Sequence, residues 1–307
     1  SSPVDLSDIF VRTPGDTIYF FAVIVICITS LLMVAAQRLR RPNDLVAARY
    51  TLALGSIVVV WLSLLIGAVI ALIADVEQAI AVIPLERTAS AVTIVLLAWA
   101  FLARENTPGS RFQVALIALC VLVIGVGAGV TLYQWSILYD TTDFYLSELG
   151  ASWAFVEVAL SGVGLALILL NARAVVDAPL KIVFFALLLA GNVFTLVQTA
   201  DGSLIGNIAG SSRLAIISAY LLIPIIVYRM VISRFESDLA ELETAASTPL
   251  PAPRPARSTA ERESVHLLRA LGLILEDATA SSLPQRVVVA VVEVFKADIV
   301  ALLHLQD

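Results

Sequence analysis

The chain has 307 residues, of which 60% are hydrophobic and 14% charged, with a net charge of −6 and a mean hydropathy of +0.96. Soluble domains are about 45–50% apolar and about 25% charged, and much of any globule stays exposed to water, so a water-soluble fold is excluded for most of the chain. The same hydrophobicity excludes global disorder, and the acidic balance argues against nucleic-acid binding.

Residues 1–16 are polar and mixed, and read as an extracytoplasmic N-terminal segment. They carry no basic start of the signal-peptide kind and no initiator Met, as expected of a processed chain or one that begins inside its gene product. A membrane-spanning helix needs about 20 mostly apolar residues. Uncharged or nearly uncharged runs cover 17–37, 50–74, 88–103, 112–139, 149–172, 182–200 and 214–228. The fourth is expected to end near Tyr133, and the fifth carries only Glu157. The third and seventh are short unless the arginines at their ends snorkel to the headgroups. The sequence therefore predicts a mainly α protein, with a seven-transmembrane helix bundle over residues 17–232.

One side of these spans collects Arg38, Arg40, Arg41, Arg49, Arg104, Arg111, Arg173, Lys181, Arg229 and Arg234; the other has Arg12, Arg87 and Arg213. Basic residues in short loops stay in the cytoplasm. The expected topology is that of a multi-pass protein of the bacterial cytoplasmic membrane, N-terminus outside and C-terminus inside.

Tyr228, Ile232, Phe235, Leu239, Leu242 and Ala246 recur at alternating spacings of four and three. That is a heptad seam continuing the seventh span. It predicts a juxtamembrane signalling helix over 233–247 and a homodimer, although an ordinary amphipathic helix has the same pattern. Alternate prolines at 249, 251, 253 and 255 cannot continue a helix. Residues 248–260 are a semi-rigid linker. From 261 to 307 the pattern is α/β: a helix over 261–277, a second over 282–297, and a short buried strand over 298–305. One strand leaves its backbone groups unpaired, so an incomplete domain and a longer native protein are expected.

Ionisable residues inside a membrane are costly and mark candidate sites. Glu86 and Arg87 at the outer end of the third span, Glu157 in the fifth and Arg213 in the seventh share one depth. Trp153 and Gln198 lie nearby. They define a candidate pocket, open to the outside, in which Arg87 and Arg213 would face an anionic ligand. The competing reading is that these charges anchor helix ends or pair with one another. Asn192 reads as an interhelical hydrogen bond. Pro224 kinks the seventh span and, with Tyr228, Phe235, Leu239 and Leu242, is a candidate for signal transmission.

The sequence offers no catalytic residues. His266 lacks the acidic residue and proline that follow a phosphoacceptor histidine, and His304 lies in the expected strand. Cys27 and Cys120 sit in apolar runs, without disulfide or metal-ligand spacing. No lysine lies in the seventh span to form a retinal Schiff base. No Walker A, zincin or dinucleotide motif occurs, and neither a metal nor another cofactor is expected.

Three segments carry a resemblance. They are Leu85-Glu86-Arg87-Thr88 leading into Leu97-Ala98-Trp99-Ala100-Phe101-Leu102, Ser212-Arg213-Leu214-Ala215 leading through Ala219-Tyr220 to Val227-Tyr228-Arg229, and Leu267-Leu268-Arg269-Ala270-Leu271-Gly272 leading to Ala297-Asp298-Ile299-Val300. With these the chain resembles the seven-helix sensor modules of bacterial sensor histidine kinases, particularly those followed by a GAF domain. The resemblance implies a sensor region for an unidentified small-molecule or membrane stimulus, a GAF domain begun at 261–307, and a kinase region beyond it acting on a response regulator. An accessory subunit of a larger membrane complex is the alternative. A transporter would need a continuous polar path, for which Glu157 and Asn192 are the main deep polar groups.

Overall fold

The computed structural model describes residues 15–73, 78–103, 111–204 and 207–247. The segment up to residue 14, the linker at 248–260 and the expected GAF-like start at 261–307, including His266 and His304, lie outside the described residues. The described elements are α1 (Gly15–Arg40), α2 (Leu45–Ile73), α3 (Gln78–Phe101), α4 (Arg111–Leu138), a 3-10 turn (Phe144–Leu146), α5 (Glu148–Leu170), α6 (Ala178–Ala200), α7 (Gly210–Tyr220) and α8 (Leu222–Ser247). No strand occurs among the described residues. The chain divides into two compact units, Ser1–Leu239 and Ala240–Asp307. Of the second, only the helical residues through Ser247 are described.

Among the described residues seven stretches are long and apolar enough to cross a membrane: Ile18–Arg40, Leu45–Ile70, Ile80–Phe101, Arg111–Leu138, Glu148–Leu170, Ala178–Ala200 and Gly210–Glu236. The last combines α7 with most of α8. The third and seventh spans are not short. They begin at Ile80 and Gly210, so Glu86 and Arg87 lie well inside α3, while Arg213 stands in the first turn of α7. A run of uncharged residues stops at every charge, whereas a helix passes through a charge that is paired. The fourth span likewise runs on past Tyr133 to Leu138.

In hydrocarbon every backbone group must be satisfied within its own segment, which leaves the helix as the element these runs can form. Hydroxyls follow the same rule. Ser30 donates to the Ile26 carbonyl at 2.9 Å, Thr51 to Ala47 at 2.8 Å and Ser63 to Val59 at 2.8 Å. Two helix starts are capped by side chains, those of α2 and α5. Asp44 Oδ1 accepts the Val46 and Ala47 amides at 2.9 and 3.0 Å, and Ser147 Oγ accepts that of Gly150 at 3.3 Å. Gly150 packs so close to Phe144 and Tyr145 that a Cβ there would strike backbone. α7 ends at Tyr220 and α8 starts at Leu222. The break sits where Pro224 has no N–H for the carbonyl four residues back, at Tyr220.

Neighbour contacts run α1–α2–α3–α5–α6–α7 and back to α1, closing a ring of six helices. α4 lies against α3 on the outside. The difference shows in burial: 78% of the most apolar stretch of α3 is buried, against 17% for α4. Inside the ring an aromatic core joins the helices, with Tyr19 edge-on to Trp61 at 5.9 Å and Phe184 stacked on Tyr220 at 6.2 Å. The outside exposes Leu32, Phe112, Leu122, Val126 and Leu170. Such a surface suits lipid tails and would associate in water.

Without a hydrophobic drive between helices in lipid, close approach at small residues matters. Gly191 of α6 faces Ala215 of α7, and a Cβ on Gly191 would collide with the Ala215 methyl. Gly129 of α4 has open space around it. Gly191→Val is therefore expected to cost about 1–3 kcal/mol by overpacking, and Gly129→Val less than about 0.5 kcal/mol, the usual range away from packed features. Thermal unfolding of the purified protein in one detergent checks both; equal losses would contradict this helix order.

Candidate functional site

Four charged side chains meet inside the ring, in the half away from Arg38, Arg40 and Arg41. Glu86 and Arg87 are 2% exposed, and Glu157 and Arg213 are 1% exposed. Glu86 is the hub. Its Oε1 accepts from Arg213 Nε at 2.8 Å and from Arg87 Nη2 at 2.9 Å, and its Oε2 accepts from Arg213 Nη2 at 2.5 Å. The two bonds from Arg213 form a planar fork, the strongest arrangement open to a guanidinium and a carboxylate. Arg87 bridges onward. Its Nη1 donates to Glu157 Oε2 at 3.2 Å and to Ser212 Oγ at 3.1 Å. Two cations and two anions make the cluster neutral when all four are ionised.

Each element contributes for a local reason. Glu86 and Arg87 are adjacent on α3, so the helix turn points them to different neighbours. Arg87 reaches α5, and Arg213 of α7 comes in to Glu86. Aromatic rings seal the site. The Arg213 guanidinium lies 4.7 Å from the Tyr19 ring centroid and 5.2 Å from that of Phe20, both on α1. The Arg87 guanidinium lies 6.0 Å from that of Tyr145. Cations are attracted to ring faces, more so when desolvated. Burial pushes the Tyr145 phenol up, so it stays a neutral hydroxyl.

A second polar layer continues toward α6. Asn192 Nδ2 donates to Ser161 Oγ at 3.0 Å and to the Glu157 carbonyl at 3.4 Å, the interhelical role expected of it. Thr195 and Ser211 share a hydroxyl bond at 3.1 Å, and Ser211 donates to Gln198 Oε1 at 3.2 Å. The Ser90 hydroxyl lies beside the Glu157 carboxyl group. Glu157 Oε1 and the Tyr19 and Tyr145 hydroxyls have no hydrogen-bond partner among the described residues. The cluster thus combines fixed ion pairs with polar atoms of unused capacity.

Of the six residues singled out from sequence, Glu86, Arg87, Glu157 and Arg213 come together. The two guanidinium groups are turned onto the two carboxylates, not onto open space. Gln198 joins through Ser211, two positions from Arg213. Trp153 is turned toward α4, where its Nε1 donates to Thr131 Oγ1 at 2.9 Å. Sequence reasoning missed Tyr19, Tyr145, Ser161 and Ser212. The signal for Ser212 was its place beside Arg213; Tyr145 lies in a polar loop and gave none. Among the transmission candidates, Tyr228 is 53% exposed and Phe235 40% exposed, and Arg40 stacks over the Phe235 ring at 4.8 Å. The side chains of Leu239 and Leu242 lie outside the described set.

Among the described residues no three His, Cys, Asp or Glu side chains gather as metal ligands. The chemistry that the cluster supports is that of a clamp holding α3, α5 and α7 in one register. Comparison of the chain with protein-family models, curated proteins and solved structures finds no match.

Glu86 and Glu157 differ as clamp members. Glu86→Gln removes the carboxylate that accepts both fork bonds of Arg213, and breaking a buried pair from one side costs about 3–5 kcal/mol. Glu157→Gln leaves Arg87 bonded to Glu86 and Ser212 and is expected to cost less than half of that. Unfolding midpoints in mixed micelles test the ranking, and a larger loss for Glu157→Gln would reverse it.

Proposed function

We propose that this chain is the membrane-embedded sensing region of a signal-transduction protein, a bacterial sensor histidine kinase. The observation that carries the reading is the clamp on the seventh span. The Glu86–Arg213 fork ties α7 to α3, and past the break at Leu221 the span continues into α8, a helix that runs on to Ser247. A stimulus that alters the clamp would change how α7 packs, and α8 would carry the change toward an output domain. A ligand can do this only by binding two packings with different affinity. Glu157 Oε1 and the unpartnered Tyr19 and Tyr145 hydroxyls are the groups such a stimulus would meet.

The remaining parts follow the same reading. The heptad through Tyr228 and Phe235 joins two copies as a homodimer, with Leu239 and Leu242 continuing the seam. Residues 248–260 link to a GAF-like domain that begins at 261, and a kinase region acts on a response regulator. The N-terminus lies outside and the C-terminus in the cytoplasm. Burial of Arg87 and Arg213 supports this orientation, since as paired interior charges they no longer count as loop charges on the outer side.

The test is ATP-dependent autophosphorylation of the whole gene product in liposomes. Incorporation of phosphate is expected. Glu157→Gln and Pro224→Ala are expected to shift its basal level, by about tenfold for each ~1.4 kcal/mol change in the balance between packings. No phosphorylation overturns the kinase assignment. Phosphorylation indifferent to both substitutions overturns the proposed route through the seventh span.

A further inference from the structure

The opposite end of the ring holds another buried charge, which the clamp does not use. Lys181 stands in the first turn of α6 and is 4% exposed. Its Nζ donates to the carbonyl of Phe101, the last residue of α3, at 3.1 Å. It lies 5.9 and 5.5 Å from the ring centroids of Tyr50 and Phe101. These contacts use one of three N–H donors and offer only the partial negative charge of a helix end. Among the described residues no carboxylate forms an ion pair with Lys181. Asp177, the acidic residue beside it, is paired with Arg229 at 2.9 Å. The other two buried cations, Arg87 and Arg213, each have a carboxylate. A buried charge without a counter-charge is strongly unfavourable.

Lys181 opens onto a cavity of about 30 Å³, lined also by Tyr50, Ala103, Asp177, Ser233 and Arg234. A water-sized group needs about 10–15 Å³ on this measure, so the cavity has room for two or three such groups, enough to admit the oxygens of an oxyanion whose remainder faces its mouth. Arg234 reaches Asp44 at 3.7 Å. Among the described residues, the charged side chains that line the cavity are Lys181, Arg234 and Asp177. Its walls come from α2, the end of α3, the α5–α6 connection, α6 and α8.

We propose that this cavity is a binding site for a phosphate-class oxyanion, with Lys181 as the principal ligand and Arg234 as the second. The anion would pair directly with Lys181, which no carboxylate among the described residues does. Its source is either the headgroup of an anionic phospholipid, which gathers at basic sites between helices near the membrane surface, or free phosphate. Because Ile226, Met230, Ser233 and Arg234 belong to α8, occupancy fastens that helix to α2 and α6. The site shares no residue with the clamp and stands or falls independently of the proposed function.

The test uses the full chain in nanodiscs of phosphatidylcholine alone, and in discs that also contain phosphatidylglycerol. Inorganic phosphate is titrated against chloride at constant ionic strength while the thermal midpoint is followed, and bound lipid is read by native mass spectrometry. A phosphate-dependent rise in phosphatidylcholine discs identifies the free anion. A rise confined to phosphatidylglycerol discs, with that lipid retained in the spectrum, identifies the headgroup. Lys181→Met is expected to weaken either effect by about tenfold or more, the worth of one charge-assisted hydrogen bond. Ala103→Leu, which fills the cavity and keeps the lysine, should do the same and carries the test if Lys181→Met fails to fold. Arg173→Gln, at an exposed basic residue of the same end, should leave it unchanged. No effect in either disc, or equal effects in wild type and Ala103→Leu, overturns the site.

Discussion

In the interior of a bilayer, a charge needs an opposite charge within hydrogen-bond reach, and Glu86 is where this protein meets that requirement. It accepts three bonds, two from Arg213 and one from Arg87. With Glu86 in place, Arg87 can span to Glu157, and three helices acquire a common register. The position of α3 follows. A helix that carries two adjacent charges must have partners on more than one side, and α3 is the most buried span of the seven. The rings of Tyr19, Phe20 and Tyr145 cover the guanidinium groups. By excluding lipid and water they keep the local dielectric low, which strengthens the pairs they enclose.

Around that centre the ring is closed by contacts that lipid cannot replace. Lipid tails are as apolar as leucine, so helix association rests on packing and interhelical hydrogen bonds. The structure uses both at the same borders. Trp61 Nε1 donates to Thr93 Oγ1 at 3.0 Å between α2 and α3. Asn192 joins α6 to α5, and Thr195 joins α6 to α7. At the last two borders glycine lets the partners approach, Gly164 under the Phe185 ring and Gly191 against Ala215. α4 has fewer such features toward the ring, and it is the span that stays outside.

The seventh span is held differently along its length. Its first half, α7, carries Ser211, Ser212 and Arg213 into the polar interior. After the break before Pro224, α8 instead meets the Lys181 cavity, and its exposed Arg229 pairs with the largely covered Asp177. Two polar sites at opposite ends thus act on one span, with a hydrogen-bond gap between them. A helix interrupted at proline bends there at lower cost than elsewhere, so its halves can respond to separate contacts.

The seven spans were legible in the sequence because length and hydropathy are local properties: a run of about 20 apolar residues has few alternatives to a membrane helix. The shared depth of Glu86, Arg87, Glu157 and Arg213 was legible for the same reason, since depth is a count of residues from a span end. Their partners were not. Whether Arg213 faces a ligand, a headgroup or Glu86 depends on which helices are neighbours, and one-dimensional hydropathy holds no record of adjacency. The ends of the third and seventh spans were missed because the charges that interrupt them are paired by residues distant in sequence. Lys181 read as a loop cation, and only the fold buries it against the end of α3. Composition and the lengths of the apolar runs by themselves indicated a membrane chain with seven helices long and apolar enough to cross it. Tertiary structure decided which charges pair and that no described carboxylate pairs directly with Lys181, because an ion pair is a property of two positions and a sequence lists one at a time.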